Sequence, residues 1–108
     1  MSQLAQQKCE ACGPGTPTLS PNEIEQLMGE LADAWEVREG FKLSRRFKFK
    51  DFLHAFGMAS QVALLAQEEG HHPDMTVGWG YVGIELTTHA AGGLTKNDFV
   101  FAAKVDQL

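Results

Sequence analysis

The chain has no apolar run close to the roughly 20 residues that span a bilayer, so no membrane-crossing helix is expected. Its start, MSQLAQQKCEACGPG, lacks both the basic opening and the apolar core of a secretory signal. These two absences predict a cytoplasmic protein that does not engage a membrane. Basic side chains are the minority, 9 against 14 acidic ones, and the net charge is −5. A chain of that sign has no general attraction for nucleic acid. There is no G-x-S-x-G, no Walker A and no G-x-G-x-x-G. Serine-nucleophile, phosphate-loop and dinucleotide chemistry therefore have no support in the sequence.

Cysteine is scarce. The two residues present, Cys9 and Cys12, form one C-x-x-C with no second Cys/His pair nearby. A structural zinc site needs four ligands, so this half-motif does not make one. Nothing upstream reads as a strand, and Gly13-Pro14-Gly15 follows, which argues against a thioredoxin-like site. Residues 1–20 are polar and aperiodic, and read as a flexible N-terminal tail carrying two thiols. The remainder, 21–108, reads as a single domain, which suits a chain of 108 residues that is 44% apolar.

Within that domain the hydrophobic period alternates between helix and strand. Ser20-Pro21-Asn22-Glu23 supplies an N-cap, an N1 proline and an N3 acid. Ile24, Leu27, Met28 and Leu31 follow at helical spacing, so the first helix is expected at about 21–33. From Trp35 the period becomes two. Phe41, Leu43, Phe47 and Phe49 share one side, and Lys42, Ser44, Arg46, Lys48 and Lys50 share the other. Arg45 interrupts the apolar side and suggests a bulge. Residues 51–69 return to helical spacing, with Asp51 as cap and Gly70 as stop. Phe52, Phe56, Ala59, Ala63 and Ala66 form the expected inner stripe, widened by Leu53, Val62 and Leu65. A second hairpin ends in VGIELTTH, with Thr88 on the apolar side and His89 at the strand end on the polar side. Thr95 and Asp98 open a last helix. The order α-β-β-α-β-β-α predicts an α+β fold, a four-stranded antiparallel sheet with helices on one face.

Three of the four histidines fall at 71, 72 and 89. Neighbours in extended chain point apart, and Pro73 biases His72 toward extended backbone. His71 and His72 are therefore poorly placed to share a metal ion. Proton transfer suits them better, because imidazole titrates near neutral pH. Asp74, Glu85 and Asp98 are candidates for orienting an imidazole. With no nucleophile motif, a cofactor-free dehydration, isomerisation or tautomerisation fits the groups available.

The pattern His71-His72-Pro73, five residues, Trp79, nine residues, His89, eight residues, Asp98 resembles the signature of pterin-4a-carbinolamine dehydratases. The element order extends the likeness over about 21–108. The CEAC stretch at 9–12 resembles bacterial members associated with phenylalanine hydroxylase. One position departs: the family usually has an acid, most often Glu, four residues before the first histidine, where Gln67 stands here. The resemblance implies loss of water from 4a-hydroxytetrahydropterin (4a-hydroxytetrahydrobiopterin) to give quinonoid dihydropterin, recycling the pterin of aromatic amino-acid hydroxylases. The reduced pterin is then the substrate, with no separate cofactor and no metal. By similarity His71 and His89 transfer protons and His72 mainly holds the pterin. Pro73, Thr88, Ala90 and Ala91 match pterin-contact segments, and Asp98 joins the substrate site by orienting it or caps the last helix. The resemblance also implies a homodimer or homotetramer, with phenylalanine hydroxylase as a further partner. Two alternatives come with it. One is a non-catalytic role, since vertebrate members act as dimerisation cofactors of a homeodomain transcription factor. The other is a role on another reduced pterin such as a molybdopterin.

Overall fold

The structure, a computed structural model, describes residues 3–108. Three helices and four strands follow the expected order: α1 (Pro21–Met28), β1 (Glu36–Arg38), β2 (Lys42–Lys48), α2 (Phe52–Glu69), β3 (Asp74–Gly78), β4 (Tyr81–Leu86) and α3 (Lys96–Val105). The strands form one antiparallel sheet in the order β1-β2-β4-β3. Among the described residues no helix is long and apolar enough to cross a membrane.

α1 starts as the sequence indicates. Ser20 Oγ accepts from the Glu23 N–H, and Glu23 Oε1 accepts from the Ser20 N–H. That backbone hydrogen bond from Ser20 holds the Glu23 carboxyl below its ordinary range. The helix is shorter than expected, ending at Met28 with Gly29 as its C-cap rather than running to 33. Leu31 and Trp35 are buried in the segment that follows. Their burial satisfies the apolar pattern without helix.

The period-two face of the sheet is the core face. Leu43, Val82, Ile84 and Leu86 are fully buried there, with Met75 and Val77 partly so. Arg45 makes no bulge, because the β2–β4 register runs unbroken from Leu43↔Leu86 to Lys48↔Tyr81. Arg45 instead lies on the core side and is neutralised by Asp106 at the end of α3. Its Nη1 donates to Asp106 Oδ1 at 2.6 Å, and its guanidinium lies 4.1 Å from the Phe47 ring centroid. The same carboxylate accepts from Trp35 Nε1 at 2.8 Å and from the Ala32 N–H at 3.0 Å. Asp106→Ala strips all of these acceptors and leaves Arg45 unpaired. An expected loss of about 2–4 kcal/mol is measurable by urea unfolding as a lower midpoint at constant m-value.

α2 is turned from the face the sequence suggests. Ala55, Ala59, Val62 and Ala66 are buried, while Phe52, Leu53, Phe56 and Ala63 of the expected stripe are exposed. The helix is apolar on more than one side, so spacing alone does not select the inner sector. Small side chains let the helix lie close to β3 and β4, which explains why the alanine sector faces in.

Residues 1 and 2 of the expected tail lie outside the described residues, and parts of residues 3–20 pack on the domain. A 3-10 turn, Leu4–Gln6, packs on α3, and Leu4 and Ala5 are buried. Lys104 Nζ donates to the Ala5 carbonyl at 2.9 Å, and the Leu19 N–H donates to the Leu94 carbonyl at 2.9 Å. Apolar residues too sparse to show a period are still buried by the face of α3.

Candidate active site

Gly70 ends α2 in the left-handed region, φ 67°, a conformation open to glycine at little cost. The chain then leaves the helix as His71-His72-Pro73 before entering β3. The two imidazoles diverge, as their adjacency implies. His71 reaches α3, where its Nε2 meets Asp98 Oδ1 at 2.7 Å. His72 turns back on α2, where its Nε2 meets Gln67 Oε1 at 3.0 Å.

Asp98 is fully buried and its contacts are shared between two tasks. Oδ1 accepts from His71. Oδ2 accepts from the Thr88 hydroxyl at 2.8 Å and from the Thr95 N–H at 3.0 Å. Since the single Thr88 proton goes to Asp98, the Thr95 hydroxyl is the donor in the 2.8 Å Thr88–Thr95 contact. Asp98 thus caps α3 and fixes the imidazole with one carboxylate. The His71 ring also meets Phe101 edge-on at 6.1 Å, and its side chain is only 11% exposed. With Nε2–H donated to Asp98, a neutral His71 has its free lone pair on Nδ1.

His89 lies beyond the strand end that the sequence implies. β4 stops at Leu86, and His89 sits in a turn closed by the Thr88–Gly93 bridge. Its side chain is 79% exposed, with Nε2 4.0 Å from Asp74 Oδ2. The Thr88 N–H is bound within the turn while its side chain is held by Asp98, so the turn is anchored below His89.

These pieces enclose a cleft of about 350 Å³. His71, His72, His89, Thr87, Thr88 and Ala90 contribute to its lining. Pro73 and Ala91 do not line it; they shape the segments that do. Asp98 is fully buried beneath it and reaches His71 through Oδ1, and it is not among the residues that line the cleft. Of the other candidate orienting acids, Asp74 stands near His89, while Glu85 pairs across the sheet with Ser44 and Asp74. Trp79 is in the β3–β4 turn at the opposite end of β4 and outside the cleft. His54 is also elsewhere, 2.6 Å from Asp51 at the start of α2. Among the described residues no three His, Cys, Asp or Glu side chains converge as a metal site requires.

Sequence reasoning missed part of the lining. Glu10, Ala11 and Cys12 of the N-terminal segment and Asn97 of α3 complete the cleft. Only their nearness to the C-x-x-C and to Asp98 could have drawn notice, and neither carries a spacing rule.

A family model described as pterin 4 alpha carbinolamine dehydratase matches residues 17–108. The chain belongs to that family. A relative from Alkaliphilus metalliredigens, provisionally assigned as a pterin-4-alpha-carbinolamine dehydratase, is 48% identical, covering 99% of this chain and 96% of its own. A Rubrobacter xylanophilus protein with the same assignment is 45% identical over the whole of both chains. Among solved structures, a transcriptional coactivator/pterin dehydratase from Brucella melitensis superposes with a TM-score of 0.78 at 35% identity, covering 84% of this chain and 97% of that one. A pterin dehydratase-like protein described as a RuBisCO assembly factor in the alpha-carboxysome gives a TM-score of 0.59 at 29% identity, covering 68% and 87%.

Membership of the pterin-4a-carbinolamine dehydratase family, and the names of these relatives, support a pterin dehydratase activity for this chain. The Brucella structure shares the α+β architecture described above.

Proposed function

We propose that this dehydratase removes water from 4a-hydroxytetrahydrobiopterin, giving the quinonoid dihydropterin by histidine acid/base catalysis. The observation that carries the reading is the buried Asp98–His71 pair opening on a cleft that also holds His72 and His89. The reaction breaks the C4a–OH bond and removes a proton from the adjacent ring nitrogen. Hydroxide leaves poorly, so the oxygen needs a proton as the bond breaks. His71 Nδ1, free while Asp98 occupies Nε2, takes the ring-nitrogen proton. His89, open to solvent, delivers a proton to the departing oxygen and exchanges with water. The two transfers balance, and one water is released. His72, steadied by Gln67 where the family usually has an acid, holds the pterin. Pro73 sets the direction of His72, and Thr88, Ala90 and Ala91 shape the pterin-contact turn. The pterin is substrate in this scheme, so the scheme uses no resident cofactor. Recycling of the pterin during phenylalanine hydroxylation is the corresponding role.

The experiment generates the carbinolamine with a phenylalanine hydroxylase and follows its absorbance decay. The protein should accelerate the decay well beyond the protein-free rate. Decay at the protein-free rate would refute the reading.

Homo-oligomerisation belongs to the same proposal. Phe52, Leu53, Phe56 and Leu64 leave α2 with an apolar outer face, and the rings of Phe52 and Phe56 stack at 6.0 Å. Contiguous exposed apolar surface of this kind marks an association site. Phe56→Glu should turn an oligomer into a monomer in light scattering. A monomeric unmodified protein would remove this part of the proposal. The same apolar face also suits the second reading, a non-catalytic binding role. A His71/His72/His89 triple alanine variant that loses dehydration yet keeps its effect in cells would favour it.

A further inference from the structure

The segment before residue 17 lies outside the matched family model, yet it reaches the cleft. Its attachment is specific. The buried Asn97 side chain grips the Glu10 backbone at both ends. Glu10 N–H donates to Asn97 Oδ1 at 2.9 Å, and Asn97 Nδ2 donates to the Glu10 carbonyl at 2.6 Å. Asn97 Nδ2 also lies 3.1 Å from Cys12 Sγ, and Cys9 Sγ donates to the Asn97 carbonyl at 3.6 Å. One residue back, the Cys9 N–H donates to Glu69 Oε1 at 2.9 Å, and Glu69 is itself paired with Lys104. The arm is therefore pinned to the ends of two helices, α2 and α3. Asn97 immediately precedes Asp98, so consecutive residues of α3 hold the arm and His71.

We propose that residues 10–12, clamped by Asn97, form one wall of the histidine cleft and set how tightly a reduced pterin is held and how large a substituent it carries. This rests on the pterin reading above. The arm supplies positioning, since among the described residues no hydrogen bond or ion pair joins Glu10, Ala11 or Cys12 to a histidine of the cleft. A wall that is attached by backbone-to-side-chain bonds confines the ligand before any proton moves. Its loss should weaken binding and leave the proton-transfer groups in place.

The arm carries its own reporter. Burial, then the Glu69 carboxylate, pushes the Cys9 thiol up to about 12. Thiol alkylation follows the thiolate, so Cys9 should react with iodoacetamide far more slowly than an unfolded-chain thiol while the arm is docked.

The test uses the full chain with both cysteines kept, Cys9 labelling being read at its own residue by peptide mass spectrometry, and compares it with Glu10→Pro, which deletes the N–H that Asn97 accepts, and Ala11→Trp, which narrows the wall with the clamp intact. Glu10→Pro should speed Cys9 labelling. It should raise KM for the carbinolamine about tenfold and change kcat less than about threefold. Ala11→Trp should raise KM with Cys9 labelling unchanged, and more for a pterin with a long C6 side chain than for 6-methylpterin. Calorimetry with 7,8-dihydrobiopterin gives a readout independent of turnover, and its Kd should rise in both variants. Faster Cys9 labelling with KM and Kd unchanged would overturn the arm's role and leave the dehydratase reading standing. Absence of both turnover and 7,8-dihydrobiopterin binding in the unmodified chain would instead overturn the dehydratase reading, and this inference with it.

Discussion

His71→Ala is expected to slow enzymatic dehydration by about 10²–10⁴-fold, the usual worth of a positioned general base. The residue is held from three sides, by Asp98 at Nε2, by the Phe101 ring edge and by the Gly70 turn behind it. Removing it leaves a hole at the cleft wall and no other side chain in its place. Water entering that space cannot reproduce a lone pair already aimed and backed by a buried carboxylate. His89→Ala should also be slow, but less so, because the 79% exposed imidazole stands where solvent can partly supply the proton. Stopped-flow decay of the 4a-carbinolamine measures both, after subtraction of the protein-free rate. Thermal unfolding should show the His89 variant as stable as the parent. If both variants dehydrate at the unmodified rate, the acid/base assignment is wrong.

Asp98→Asn is expected to cost about 10²–10⁴-fold in kcat through the tautomer of His71. The amide must place its oxygen where the Thr88 hydroxyl and the Thr95 N–H both donate. Its NH2 group then faces His71 Nε2. An imidazole meeting a donor at Nε2 must carry its proton on Nδ1. The free lone pair therefore moves from Nδ1 to Nε2, where the buried amide holds it. Asp98→Ala should differ in kind. It leaves the Thr95 N–H, the Thr88 hydroxyl and His71 without their buried acceptor, and is expected to cost about 3–5 kcal/mol of stability. The proposal therefore expects Asp98→Asn to fold, with a proton shift at His71 visible by 15N NMR, and Asp98→Ala to unfold early. An active Asp98→Asn with His71 still protonated at Nε2 would show that Asp98 is only a helix cap.

Several features were legible in the residues alone. Ser20-Pro21-Asn22-Glu23 started α1, Gly70 stopped α2, and the alternation of Val82, Ile84 and Leu86 set the core face of β4. The divergence of His71 and His72 followed from their adjacency before Pro73, and their partners lie on different helices. Each of these rests on a local rule, where backbone geometry over a few residues decides the outcome. The rest was decided by distant contacts. Arg45 looked like a bulge because its partner, Asp106, is 61 residues away. α2 offered several apolar sectors, and only packing against β3 and β4 chose the alanine one.

The sequence by itself determined the element order and the caps, because helix and strand periods and turn residues are written locally, and it pointed to the three histidines and Asp98 through the spacing that resembles the family's. Tertiary structure decided which carboxylate meets which imidazole. It buried Asp98 and left Asp74 in water beside His89. It also carried the arm at 10–12 to the cleft through Asn97. Those outcomes depend on hydrogen bonds and burial between residues far apart in the chain, and no local pattern records them.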